Sequence, residues 1–169
     1  MPRGIISYVF ETAAGWVGLS ASESGLRQLT LPMGTAAAAR QQLGVTGEDL
    51  TGDSRFIDDA MPRLSAYFRG NRISFPDKLD LSPATAFQRR VWQETKNIPY
   101  GETRTYGWIA AQIGQPGAAR AVGQALGRNP LPIIIPCHRV LGAGGNLGSF
   151  TGGIRWKKYL LELESSYVK

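Results

Sequence analysis

Ile133-Ile134-Ile135-Pro136-Cys137-His138-Arg139-Val140 holds the only cysteine and the only histidine among 169 residues, side by side. Three β-branched residues lead in and a proline stiffens the entry, a pattern that reads as a short buried strand ending where the reactive pair begins. A thiol reacts as its thiolate, and a nearby imidazole can take the proton. A lone cysteine is otherwise a small buried hydrophobe, so geometry has to decide. Neighbours on a strand point to opposite faces, and neighbours on a helix do not face each other. His138 therefore reaches Cys137 only from a tight turn or through one water.

Working outward, a glycine-rich loop, Gly142 to Gly153, follows the pair. Ile154 to Glu164 then reads as a helix with Trp156, Leu160, Leu161 and Leu163 inward. Upstream, Thr85-Ala86-Phe87-Gln88 fits a capping box that opens a helix to about Lys96, with Phe87, Val91 and Trp92 facing the core. Ile98 to Gly101 is a turn. Thr105 caps a short helix, Tyr106 to Ile113, ended by Gly114. Pro116 sits in the first turn of another, Gly117 to Leu126, closed by Gly127. Two short helices joined by a glycine-containing turn form a helix-turn-helix candidate. The second is made almost entirely of small residues with one long cation, Arg120. A major-groove reader carries several long polar side chains; small residues instead allow close backbone approach to a shallow or narrow groove. Tight packing in the core is the alternative, against which the charge of Arg120 weighs.

The first half contains no catalytic cluster. Ile5 to Phe10, Trp16 to Leu19 and Leu26 to Leu31 read as an antiparallel meander, with turn-rich Ala21 to Gly25 between the last two. Thr35 to Leu43 is helical, with Gly44 past its end. Ser54 caps a stronger helix to Phe68, ended by Gly70, with Ile57, Met61, Leu64, Ala66 and Phe68 as its apolar face. Asp58 and Asp59 read as its solvated side. Leu81-Ser82-Pro83 is the boundary, giving domains 1–82 and 83–169. The fold class is α+β: a small antiparallel-sheet and helix domain, then a mainly helical domain with a helix-turn-helix, winged-helix-like.

Charge changes at the same boundary. The whole chain carries +6, but residues 1–83 hold 8 Lys/Arg against 9 Asp/Glu, and residues 84–169 hold 11 against 4. The halves are thus −1 and +7, which points the second toward a polyanion. One cysteine and one histidine exclude an intramolecular disulfide and a Cys/His zinc site, so no metal is expected. No run is long enough to span a membrane, and Met1-Pro2-Arg3-Gly4 has no apolar signal behind it. A cytoplasmic, nucleoid-associated protein is the expectation. The glycine-rich loop lacks a Walker lysine pattern and a GxGxxG, so no nucleotide cofactor is expected. A carboxylate is needed to orient His138, and the residues alone leave Glu94, Glu102, Glu162 and Glu164 open.

Tyr100-Gly101-Glu102-Thr103, Ala118-Ala119-Arg120-Ala121-Val122-Gly123, Asn129-Pro130, Ile135 to Val140 and Ser149-Phe150-Thr151-Gly152-Gly153 occur in this order. This series strongly resembles the O6-alkylguanine-DNA alkyltransferases, also called methylated-DNA–protein-cysteine methyltransferases, over roughly residues 84 to 165. The first half matches in length, in strand-then-helix pattern and in an acidic helix face, and the resemblance implies a ribonuclease-H-like structural domain there. It implies suicidal, single-turnover repair of O6-alkylguanine in double- or single-stranded DNA by a monomer, possible cooperativity on DNA included, and no cofactor. The helix-turn-helix docks in the minor groove and the damaged base is flipped into a pocket.

The resemblance also implies roles. Cys137 accepts the alkyl group, and His138 deprotonates it through a water. Glu164, 27 residues after the cysteine, is the orienting carboxylate. Arg120 fills the gap left by the flipped base, with Ala119 and Gly123 allowing close approach. Tyr106 crowds the adjacent phosphate and donates to guanine N3. Asn129 braces the turn before the active-site strand. Pro136 shapes the pocket, and the carbonyls of Cys137 and Val140 accept from the exocyclic amine. The Thr151 N–H serves O6. Phe150 stands where many members have tyrosine, so its ring packs on the alkyl group without a hydroxyl, and tolerance for bulky groups changes. Three readings compete. An alkyltransferase-like binder lacks the cysteine. A cysteine hydrolase takes its histidine from a distant segment. A transcriptional regulator needs a helix that reads the major groove.

Overall fold

The computed structural model describes residues 4–44, 52–148, 150 and 152–168, without side chains for the last three. The chain separates into two compact units, 1–82 and 83–169.

The first unit is built on an antiparallel meander, β1 (Ile6–Thr12), β2 (Gly15–Ser22) and β3 (Gly25–Leu29), in that spatial order. Ile6 faces Ala21 and Thr12 faces Gly15 across the first hairpin. The second hairpin is tighter than expected. Ala21 and Ser22 continue β2 and Gly25 opens β3, leaving only Glu23 and Ser24 to turn. Gly25 has φ +155°, and a Cβ there would lie 2.6 Å from the Lys78 carbonyl oxygen. Its backbone conformation and this close approach both require glycine. β2 is central and buried, with Val17, Leu19 and Ala21 in the core.

Two helices complete this unit. α1 (Ala36–Leu43) is capped by Thr35 and closed by left-handed Gly44, as its end residues dictate. It packs so closely on β2 that a Cβ on Gly18 would fall 2.5 Å from Leu43 Cδ1. α2 (Arg55–Phe68) is capped by Ser54. Its buried stripe is Ile57, Ala60, Leu64, Tyr67 and Phe68, the three-and-four spacing of a core-facing helix. Met61 and Ala66, expected on that stripe, are half-buried, and Asp58 and Asp59 are exposed.

In the second unit α3 (Ala86–Lys96) opens with the expected capping box: Thr85 Oγ1 accepts from Gln88 N, and Gln88 Oε1 from Thr85 N. Val91 and Trp92 are buried as expected, and Phe87 only half. The Trp92 indole donates to the Ala125 carbonyl at 2.8 Å, tying α3 to α5 (Ala119–Gly127). α4 (Tyr106–Gln112) is capped by Thr105, and Gly114 turns the chain at φ +77°. α5 begins later than its sequence suggests. Pro116 and Gly117 lie in the turn before it, and Ala118, with no side-chain acceptor, is its N-cap. Two short parallel strands, β4 (Arg104–Thr105) and β5 (Val140–Leu141), pair beside these helices. α6 (Ile154–Val168) ends the unit.

The run Ile133–Ile135 departs most from expectation. It is a buried turn rather than a strand, and Ile133 has φ +76°, alone among the described non-glycine residues in being positive. Such a conformation costs a β-branched residue about 1–3 kcal/mol and persists only where its surroundings over-determine it. The Asn129 side chain helps hold it, with Oδ1 accepting from Leu131 N at 2.9 Å and Nδ2 donating to Ile135 O at 2.8 Å. Those two bonds replace what a strand partner would supply.

Candidate active site

Cys137, His138 and Arg139 form one turn of 3-10 helix between that braced turn and β5. All three are buried, His138 completely. The tight turn answers the geometric objection to a neighbouring Cys–His pair. No direct bond joins the two side chains: His138 Nε2 lies 2.6 Å from Glu164 Oε2, and Nδ1 is buried with no hydrogen-bond partner among the described residues. Instead, Asn129 Nδ2 donates to Cys137 Sγ at 3.1 Å. Asn129 thus braces the backbone and touches the nucleophile with one amide.

α6 supplies the rest of the site. Its buried residues among those whose side chains are described are Lys157, Leu160 and Glu164, one per turn on a single face. Glu164 accepts from His138, from Arg139 Nε at 2.8 Å and NH2 at 3.0 Å, and from Gly101 N at 3.2 Å. Arg139 also donates to the Ile98 carbonyl at 2.7 Å and lies over the Tyr100 ring. Lys157 Nζ donates to the carbonyls of Val140 at 2.7 Å and Leu147 at 2.5 Å, and to the Tyr106 hydroxyl at 3.4 Å. It therefore fastens the glycine-rich loop to β5 and to the first residue of α4. Gly148 completes this contact. It has φ +66°, and a Cβ on it would lie 2.8 Å from Tyr106 Oη.

The electrostatics follow from burial and these pairs. Burial pushes the Cys137 thiol up to about 11, with partial relief from the Asn129 hydrogen bond and the Lys157 charge. Burial would also raise Glu164, but the hydrogen bond from His138 and the hydrogen bonds and charge of Arg139 hold its carboxyl well below the usual range. Burial lowers His138, and Arg139 and Lys157 oppose the rise that Glu164 would cause. Burial lowers Lys157 against the attraction of Cys137, and raises the Tyr106 phenol with a further push from Cys137. The resting state is a protonated thiol beside a neutral imidazole and an ionised carboxylate.

Residues 86–166 match the family described as the 6-O-methylguanine DNA methyltransferase, DNA binding domain. The Methanosarcina acetivorans methylated-DNA–protein-cysteine methyltransferase is 44% identical over 158 residues, 94% of this chain and 97% of that protein. Its Mycobacterium bovis counterpart is 56% identical over 116 residues, 69% of this chain and 70% of that one. The chain belongs to the methylated-DNA–protein-cysteine methyltransferase family. The crystal structure of Mycobacterium tuberculosis OGT in complex with DNA superposes with a TM-score of 0.78 at 44% identity, covering 95% of this chain and 93% of that one.

Within a methyltransferase of this family the expected site residues fall into two groups. Cys137, His138, Glu164, Asn129, Pro136 and Val140 come together as a buried set, with Tyr106 half-buried at its edge. Of the other carboxylates considered, Glu102 is exposed and pairs with Arg104, Glu162 is exposed on α6, and Glu94 is half-buried on α3. Arg120 is exposed near the start of α5, beside half-buried Ala119 and Gly123. A Cβ on Gly123 would only touch the Tyr106 ring, at 3.8 Å. The small residues Ala121 and Gly127 are exposed rather than packed in the core. Phe150 is half-buried, while Thr151, with Ser149, lies outside the described residues. The Val140 carbonyl already accepts from Lys157, and that of Cys137 from the Val140 N–H. Sequence reasoning missed Arg139 and Lys157. The usable signal was spacing: Lys157, Leu160 and Glu164 recur at helical intervals around an inward leucine.

Proposed function

We propose that this protein repairs DNA by direct reversal, taking the alkyl group of O6-alkylguanine onto Cys137. Cys137 Sγ attacks the alkyl carbon, the S–C bond forms as the C–O6 bond breaks, and guanine leaves with the electron pair, its N3 taking a proton from the Tyr106 hydroxyl, which solvent then restores. The thiol proton passes through a water to His138 Nδ1, the nitrogen left without a partner among the described residues. Glu164 stabilises the imidazolium that results. The observation that carries this reading is the buried Cys137–His138–Glu164 set, built around the chain's one thiol. Its burial explains a thiol that stays protonated at rest and ionises only when a base accepts the proton.

The second unit is the DNA-binding and alkyl-transfer domain, and the first a structural one with a ribonuclease-H-like fold. Double- and single-stranded DNA carrying O6-alkylguanine are the partners, met by a monomer in the nucleoid. Exposed Arg120 on α5 fills the space of the flipped base, and Tyr106 donates to guanine N3. Pro136, Val140, Phe150 and Thr151 line the pocket. Once Cys137 is a thioether, the chain holds no second cysteine or histidine to take the group onward. Intact-protein mass after exposure to O6-methylguanine DNA tests this. One added methyl per molecule is expected, none in Cys137→Ala, and guanine restored in a burst equal to the protein present. More than one guanine restored per molecule would overturn single turnover, and an unmodified protein would overturn the transfer.

A further inference from the structure

Arg139 sits next to the reactive pair, yet the transfer as described assigns it nothing. Its guanidinium forks onto both oxygens of Glu164, at 2.8 and 3.0 Å, and anchors itself on the Ile98 carbonyl at 2.7 Å. Glu164 is acceptor-only when ionised, and a guanidinium offers donors only, in a fork that matches a carboxylate. Among the described residues, Arg139 gives that carboxylate two hydrogen bonds, Gly101 N one and His138 one. A carboxylate so saturated has no reason to carry a proton. Only a protonated Nε2 can then make the 2.6 Å contact with Glu164 Oε2. A neutral imidazole holding its proton there has its lone pair on Nδ1.

We propose that Arg139 is a positioning residue for the transfer: its fork holds Glu164 as an acceptor-only carboxylate, which fixes the His138 proton on Nε2 and leaves the Nδ1 lone pair to receive the thiol proton. The proton stops on the imidazole, because a carboxylate that already holds two bonds from Arg139 and one from Gly101 N has little affinity for the Nε2 proton. Burial is the main reason the imidazole stays neutral before the reaction, and the Arg139 charge adds to it against the pull of Glu164. Removing that charge leaves Glu164 freer to draw a proton onto His138 before substrate arrives. The charged groups acting on His138 are Glu164 and Lys157 from α6 and Arg139 from its own turn, with Cys137 as the adjoining titratable group. This role rests on the alkyl-transfer reading for its purpose, but its physical content concerns the DNA-free protein.

The single histidine makes the test clean, because every imidazole nitrogen signal belongs to His138. Nitrogen NMR of histidine-labelled protein across a pH series should show Nε2 protonated and Nδ1 bare at neutral pH. Arg139→Met removes the charge and the fork. It should raise the His138 midpoint by at least one pH unit and slow the burst at least tenfold at neutral pH, with recovery toward high pH. Arg139→Lys keeps the charge and loses the fork, so the second tautomer should appear while the midpoint moves less. Should Arg139→Met not fold, Arg139→Lys alone decides. A wild-type tautomer and midpoint in a folded variant that transfers slowly would reduce Arg139 to a structural ion pair and overturn the assignment. A wild-type protein with the expected tautomer but no alkyl transfer would instead sink the functional reading.

Discussion

At the scale of the residue, the site is governed by what burial does to each ionisable group. With its thiol pushed up to about 11, Cys137 is a poor nucleophile toward anything that does not also engage His138. Its rate with a small thiol reagent should climb about tenfold per pH unit between about pH 7 and 9, without the plateau that a thiol of ordinary pKa, about 8.5, begins to show there. A plateau near pH 8.5 would mean the thiol is not insulated as described. Asn129 carries unusual weight for one amide. Asn129→Ala strands the buried Leu131 N–H, takes one of two donors from the Ile135 carbonyl, which keeps that of Cys137 N at 2.7 Å, and removes the contact to Sγ, for a loss of about 1–3 kcal/mol. Denaturant titration measures it, and a loss under about 1 kcal/mol would mean that water replaces the amide.

At the scale of the element, legibility in the sequence depended on how local each signal is. The start of α3 could be read because Thr85 and Gln88 satisfy each other within four residues. The active-site turn could not. Ile133 to Ile135 look like a strand, and what bends them is a side chain four residues upstream acting as a surrogate backbone partner. α6 was found, but of its expected inward residues only Leu160 is buried, since periodicity counts apolar residues and this face carries a lysine and a glutamate. Trp156, Leu161 and Leu163, expected inward, are half-buried. The Cys137–His138 pair stood out by composition, as the one cysteine beside the one histidine; the carboxylate needed the family pattern, Lys157 could have been found by its helical spacing, and Arg139 needed coordinates.

The loop that packs on α4 offers a prediction at the same scale. Gly148→Ala places a Cβ against Tyr106 Oη in a left-handed backbone and should cost about 1–3 kcal/mol. Adding Tyr106→Phe should restore part of that loss in thermal melts, by removing the atom that is struck. No recovery would place the whole cost in the backbone. On α5, Arg120→Gly should slow repair of duplex DNA far more than attack on an O6-alkylguanine free base, because the role proposed for this exposed side chain is in flipping. Equal losses on both substrates would refute that division.

For the whole molecule, the +7 of the second half overstates what DNA meets. Arg139 and Lys157 are buried, and so is Glu164, which leaves +6 outward. That is still enough for affinity to fall steeply with salt, by about a thousandfold between about 50 and 200 mM if six phosphates are neutralised. Binding that is flat over this range would argue against a phosphate-dominated interface. Acid stability belongs at this scale too. His138 and Glu164 both sit below their ordinary values of 6.5 and 4.5 in the folded chain. As pH falls past 6.5, and again past 4.5, the unfolded chain takes up protons that the folded chain refuses, so stability drops in both windows. Unfolding midpoints at about pH 7.5, 5.5 and 4 should descend in that order, with unchanged midpoints contradicting it. Among the described residues no helix is long and apolar enough to cross a membrane.

The face of α6 that carries Lys157, Leu160 and Glu164 has a consequence for how this protein can evolve. The groups that tune the reaction also anchor a helix, so chemistry and fold cannot drift apart there. A library selected for larger alkyl adducts should therefore yield few changes in the 3-10 turn or on that face. Its winners should cluster at Phe150, whose half-buried side chain takes no part in the bonds described above. Sequencing the survivors would show the division directly: an almost invariant buried network bordered by a position that varies.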